Sequence, residues 1–189
     1  MAKRWRVGKR LLIGIAGPPG AGKSTLASRL ADRLGNAAVV PMDGFHLANK
    51  ELRRLGLAHI KGAPETFDAA GYVALLRRIK ARPAEMVYAP TFDHVMNEPI
   101  AGSIPVFPET PIVITEGNYL LVWSLARELF DLTVHIDTDP GVRVAGLIAR
   151  QHAKGLDEEA AREWVMRSDE ANAQLVGEFA HLANLHLRR

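Results

Sequence analysis

Residues 10–34 read RLLIGIAGPPGAGKSTLASRLADRL, an apolar run from Leu11 to Ala16, a glycine-rich loop, and a segment with leucines at 26, 30 and 34. This order predicts a strand, a turn and a helix. The spacing Gly17-x4-Gly22-Lys23-Ser24 is that of a phosphate-binding loop, and each position has a physical task. Glycines open conformations closed to residues with a Cβ, so successive N–H groups can turn inward around a polyphosphate. The helix beginning near Lys23 adds unpaired N–H groups and the positive end of its dipole at the same spot. Lys23 can reach the β- and γ-phosphates, and the Ser24 hydroxyl can ligate magnesium. Gly17, Pro18, Pro19, Gly20, Ala21, Gly22, Lys23, Ser24 and Thr25 are therefore a candidate nucleotide site, with ATP and Mg2+ as the expected ligands.

The remaining sequence predicts an α/β protein. Residues 37–42, 111–116 and 132–137 are short apolar strands, and 184–187 reads as a last one. Between them, 45–66 reads as a broken helix and loop. Residues 68–80 repeat apolar side chains at the helical period behind Asp68, a plausible cap. The stretch 83–111 holds six prolines and reads as an irregular hairpin or flap. Residues 123–130 make a short helix, Pro140 starts another that runs to Gly155, and 157–172 resume helix. Strands separated by helices imply a parallel sheet covered on both faces, with ligands beyond the carboxyl ends of the strands. The expected architecture is a three-layer P-loop NTPase fold in a single domain over 1–189, with a small β flap at about 83–110 and a helical lid at about 143–156.

Several strands end in an acid: Asp43, Glu116 and Asp137. Phosphoryl transfer to an alcohol needs a carboxylate to accept its proton, and Asp43 is the candidate base, against the plain reading of Asp43-Gly44 as a turn. Glu116 could hold magnesium or orient the attacking group. Arg143 and Arg150 lie two turns apart on one helical face and could close over phosphates. His46, His59 and Asp93-His94 could touch substrate, whereas His135, in mid-strand, reads as packed, and no histidine has zinc-ligand spacing.

Composition excludes other classes. The 189 residues are 48% apolar and 24% charged and hold no cysteine, which rules out disulfides and suits a reducing cytoplasm. The net charge is +3, but seven of the 24 basic residues (Lys3, Arg4, Arg6, Lys9, Arg10, Arg188 and Arg189) sit at the two ends, leaving 17 against 21 acidic ones. That distribution reads as solvated tails and predicts no nucleic-acid partner. The apolar run after the basic start is only about seven residues and ends in the phosphate loop, so it does not read as a signal peptide. No stretch approaches a membrane span. A GTPase switch, the alternative P-loop class, would need an Asn-Lys-x-Asp reader, and Asn49-Lys50 continues Glu-Leu.

With these residues in hand, the chain resembles the phosphoribulokinase, uridine kinase and pantothenate kinase family of P-loop kinases. The motifs are GPPGAGKST at 17–25, MDGFHL at 42–47, KGAPETFD at 61–68, APTFDHVMNEP at 89–99, TEGNYLL at 115–121 and RVAGLIARQHAKG at 143–155. DGFH, KGAPETFD and EGNYLL together resemble the bacterial fructose transport system kinase-like proteins. The resemblance implies ATP-dependent phosphorylation of a small hydroxylated metabolite, with a sugar favoured and a nucleoside- or pantothenate-type acceptor as the alternative. It implies that Asp43 is the base, that Glu116 acts near the metal and that Arg150 is the lid arginine. It also puts His46, Lys61, Asp93 and Tyr119 on the substrate side with Asp43 and Glu116, and suggests pairing into a homodimer. Two departures count against a uridine kinase: Phe92-Asp93 stands where a tyrosine-aspartate pair is expected, with no arginine following, and Arg150-Gln151 replaces a lid arginine-aspartate pair.

Overall fold

The computed structural model describes residues 9–189; Lys3, Arg4 and Arg6 of the basic start lie outside them. The chain runs β1 (Leu11–Ala16), α1 (Lys23–Leu34), β2 (Ala37–Pro41), α2 (Asn49–Leu55), α3 (Ala69–Ala81), β3 (Val87–Asp93), β4 (Glu98–Val106), β5 (Ile112–Gly117), α4 (Ser124–Arg127), β6 (Leu132–Asp137), α5 (Pro140–Ala153), α6 (Glu158–Trp164), α7 (Glu170–Glu178) and β7 (Leu185–Arg188).

Five strands form one parallel sheet in the order β2-β5-β1-β6-β7. The central strands are apolar on both faces because both are covered. Ile13, Ile15, Ile114 and Ile136 pack against Ala27, Leu26 and Leu30 of α1. Leu12, Val40 and Val113 face the larger cluster, in which Tyr72, Leu76 and Ile79 of α3 meet Tyr119, Leu120 and Ala126. The crossovers bring the carboxyl ends of β1, β2 and β5 side by side, with Pro41 opposite Glu116 and Ala16 opposite Gly117.

Local signals act as their chemistry requires. Asp68 caps α3 by accepting from Gly71 N at 2.8 Å, and Asp139 caps α5 ahead of Pro140 by accepting from Val142 N at 3.0 Å. The proline-rich stretch is the antiparallel hairpin β3–β4, whose register shifts between Ala89 and Thr91, around Pro90, a residue that cannot donate to the ladder.

Two expectations are corrected. The helix expected over 157–172 is α6 and α7 joined by a π-helical turn, Val165–Asp169, and it runs on to Glu178. Arg10 is not a solvated tail, and Arg189, though exposed, is tied to the sheet by its main chain. Arg10 is buried, and its guanidinium donates to the carbonyls of Thr110 (2.8 Å), Ile79 (2.8 Å), Phe107 (2.6 Å) and Pro108 (3.1 Å). Arg189 follows β7 and its N–H donates to Asp137 O at 2.9 Å, so the last strand ends at the same sheet edge as the phosphate loop. No helix among the described residues is long and apolar enough to cross a membrane.

Candidate active site

The loop between β1 and α1 turns on Gly20 (φ 80°) and Gly22 (φ 85°), left-handed conformations that a side chain would strain. Gly22 is the N-cap of α1 and has no capping side chain, so the first N–H groups of the helix are left for an anion. Lys23 is buried beneath them, and its ammonium donates to Pro18 O at 2.9 Å and Asn118 Oδ1 at 2.8 Å. Burial lowers its pKa, opposed by the carboxylates of Glu116 and Asp43. Of the nine loop residues, Pro19, Gly20, Gly22, Lys23, Ser24 and Thr25 line an open cavity of about 1320 Å³; Gly17, Pro18 and Ala21 stand behind it.

Glu116, next to last in β5, is buried at the cavity floor, and Ser24 Oγ donates to its Oε1 at 3.0 Å. Burial and then the neighbouring Asp43 raise the Glu116 pKa, while Lys23, the Ser24 hydroxyl and Arg150 pull it down. A desolvated carboxylate beside a hydroxyl is a hard-oxygen donor set that gains from a cation. That fits magnesium, which takes one or two protein oxygens and completes its shell with water and phosphate. Asp43, in the 3₁₀ turn Met42–Phe45 that follows β2, reaches the same cavity. Gly44 must be glycine for a steric reason, since a Cβ there would lie 2.5 Å from Pro90 O. The flap backbone therefore rests directly on the turn that carries Asp43.

The opposite wall is polar and aromatic. His46 Nδ1 donates to Asp43 O at 2.8 Å, which leaves Nε2 as the acceptor of the neutral ring, and the ring packs between Phe67 and Phe92, at 4.0 and 4.6 Å between centroids. Burial lowers the His46 pKa against the pull of Asp43. Lys61 donates to Asn49 Oδ1 (2.5 Å) and Asn97 O (2.6 Å) and lies 5.1 Å from the Phe92 ring centre. Asn49 is thus tied to the flap, where its own Nδ2 also donates to Asn97 O at 3.0 Å.

Among the expected site residues, Asp43, His46, Lys61, Glu116 and Arg150 share this cavity with the loop. Three others do not line it: His59, which lies in the 3₁₀ turn Ala58–Ile60, Tyr119 and Asp93. Tyr119 is fully buried in the core, where its hydroxyl donates to Gly62 O at 2.5 Å; it holds the loop after Lys61 from behind. Asp93 closes the hairpin, accepting from Val95 N (2.8 Å) and Met96 N (2.9 Å), and its neighbour His94 is the one at the cavity. Arg143 shares the face of Arg150, but it is buried and cannot close over a ligand: it pairs with Glu170 at 2.5 Å and braces the loop through Pro19 O. Arg150, two helical turns on, stands exposed and lines the cavity.

Sequence reasoning missed the π turn. It brings Ser168 and Asp169 to the cavity with Asn172, and π turns mark functional sites often enough to be a signal. Asp169 Oδ2 is buried without a hydrogen-bond partner among the described residues. Burial raises the Asp169 pKa, opposed by Arg150, Lys154 and Arg143.

Comparison with known proteins agrees with this geometry. Residues 12–187 match the Phosphoribulokinase / Uridine kinase family. A Schizosaccharomyces pombe protein provisionally named uridine kinase C227.14 is 39% identical over 184 residues, covering 89% of this chain and 78% of its own. The pantothenate kinase of Mycolicibacterium vanbaalenii is 33% identical over 135 residues, 67% of this chain and 43% of that enzyme. A crystal structure from Silicibacter sp. TM1040, of a protein provisionally named a fructose transport system kinase, superposes with a TM-score of 0.90 at 37% identity, covering 98% of this chain and 93% of that one. The chain belongs to the phosphoribulokinase/uridine kinase family and is an ATP-dependent phosphotransferase.

Proposed function

We propose that the enzyme transfers the γ-phosphate of ATP to a hydroxyl of a sugar or a closely related polar metabolite. The observation that carries this reading is the convergence of Lys23, Asp43, Glu116 and Arg150 on one cavity at the carboxyl edge of the sheet. The polyphosphate rests on the N–H groups around Gly22, and Lys23 leaves Pro18 O and Asn118 to meet the β- and γ-oxygens. Asp43 accepts the proton of the acceptor hydroxyl as its oxygen bonds to the γ-phosphorus and the bond to the β-phosphate bridge breaks, releasing ADP. Arg150, on the proposed lid, offsets negative charge on the phosphoryl group in flight. Ser24 and Glu116 are the residues that would hold magnesium, which when bound neutralises charge on the β- and γ-phosphates.

A sugar-like acceptor is favoured by the wall facing Asp43. Lys61, Asn49, His46 and Asn97 offer hydrogen bonds to several hydroxyls, and the Phe92 and Phe67 rings offer flat apolar faces to a ring's C–H bonds. The test is a panel of sugars, nucleosides, pantothenate and glycerate assayed for ADP release, with each product identified by mass. Turnover on a sugar with a mass gain of one phosphate supports the reading. Turnover confined to nucleosides or pantothenate overturns the acceptor, and ATP hydrolysis indifferent to every acceptor overturns the transfer.

A further inference from the structure

Arg189 occupies a position that the mechanism above leaves unused. Parallel pairing of β7 with β6 sets Arg188 opposite Asp137, and the Arg189 N–H bond to Asp137 O fixes where the next side chain starts. From there the guanidinium reaches the phosphate loop: a Cβ built on Gly22 would lie 2.5 Å from Arg189 Nη1. Gly22 lines the cavity and caps α1; Arg189 does not line the cavity itself but abuts this turn of the anion cradle. Its side chain is exposed, and among the described residues no carboxylate pairs with it. An arginine held by main-chain pairing beside the uncapped start of α1, with no side-chain carboxylate paired to it, is placed to meet an anion there.

We propose that Arg189 is a nucleotide-binding residue whose guanidinium pairs with phosphate oxygens of the nucleotide at Gly22, adding a cation from the last strand to Lys23 beneath and Arg150 above. The contact rests on the nucleotide reading of the loop. It also gives β7, a peripheral strand, a part in the site. Because Arg189 abuts Gly22 and does not line the cavity that His46 and Lys61 share, its loss should weaken nucleotide without touching acceptor.

The test is titration of ATP, ADP and inorganic tripolyphosphate into the wild-type chain and into Arg189→Ala, Arg189→Gln and Arg189→Lys, with steady-state KM values for ATP and acceptor. Arg189→Ala and Arg189→Gln are expected to weaken all three ligands about tenfold or more, the scale of a lost charge-assisted bond. Arg189→Lys should recover part of the loss, and the acceptor KM and the melting temperature without nucleotide should stay unchanged. Wild-type affinity in Arg189→Gln, tighter binding in either neutral variant, or a loss seen with ATP but not with tripolyphosphate would each overturn the proposal. A wild-type chain that binds no ATP would instead sink the nucleotide reading on which it stands.

Discussion

The hydroxyl of Ser24 donates to Glu116 Oε1 at 3.0 Å, joining the first turn of α1 to the end of β5. Without a cation this bond satisfies a carboxylate that burial has pushed toward its neutral form. Glu116→Gln keeps a carbonyl oxygen for Ser24 and removes the charge. The variant is expected to fold and to bind ADP without magnesium as the wild type does. It should lose most of the gain in affinity that magnesium confers, and its turnover should fall by about a hundredfold or more. Calorimetric ADP titrations with and without magnesium would check this; an unchanged magnesium effect would remove Glu116 from the metal's surroundings.

Asp43 lies across the cavity from the loop's N–H groups, so its substitution separates chemistry from nucleotide binding. Asp43→Asn is expected to hold ATP within about twofold of wild type while turnover drops by about 10²–10⁴, the range of a lost general base. Equal turnover on the true acceptor would exclude the base role.

Arg10 ties the start of β1 to α3 and to the segment before β5 through four carbonyls. Arg10→Ala strands those acceptors and should cost about 2–4 kcal/mol, lowering the melting temperature by roughly 5–15 °C. Thermal unfolding measures it, and a shift below about 2 °C would show the network to be dispensable.

His135 is buried in β6 with Nδ1 unpartnered among the described residues, 5.9 Å between ring centres from His186. Burial and then the His186 charge hold its pKa below the usual 6.5. The folded chain therefore binds fewer protons than the unfolded one as pH drops below 6.5, so the stability this ring contributes is complete above that value and is lost toward the folded pKa. Melting temperature should fall between about pH 7 and 5, and His135→Leu should flatten that slope; His46, shifted the same way, adds to it. A slope as steep in the variant as in the wild type would assign the pH dependence elsewhere.

Legibility followed sequence distance. The loop from Gly17 to Thr25 is contiguous, so its strand, turn and helix can be read directly, and Asp43 and Glu116 stand out as candidates because each lies at the carboxyl end of an apolar run. Arg10 reads as a tail in the sequence because its partners lie up to 100 residues away. Tyr119 sits in a motif that faces the cavity at Glu116 and Asn118, yet its own side chain turns into the core. Asp93 was displaced from the substrate side by the hairpin it closes, a local bond that the pair Asp93-His94 does not reveal. The π turn left no periodicity to detect, since it widens a helix whose apolar residues continue on either side.

The seating of Pro90 O on Gly44 separates two properties of the enzyme. What fixes the bearing of Asp43, the proposed base, is main chain on main chain, while the side chains proposed to meet the acceptor, Phe92 and His94, stand further along the same hairpin. Exchanging those side chains would retune which alcohol is admitted and leave the proton acceptor where it is. The choice of guest and the chemistry done to it can therefore change independently of one another.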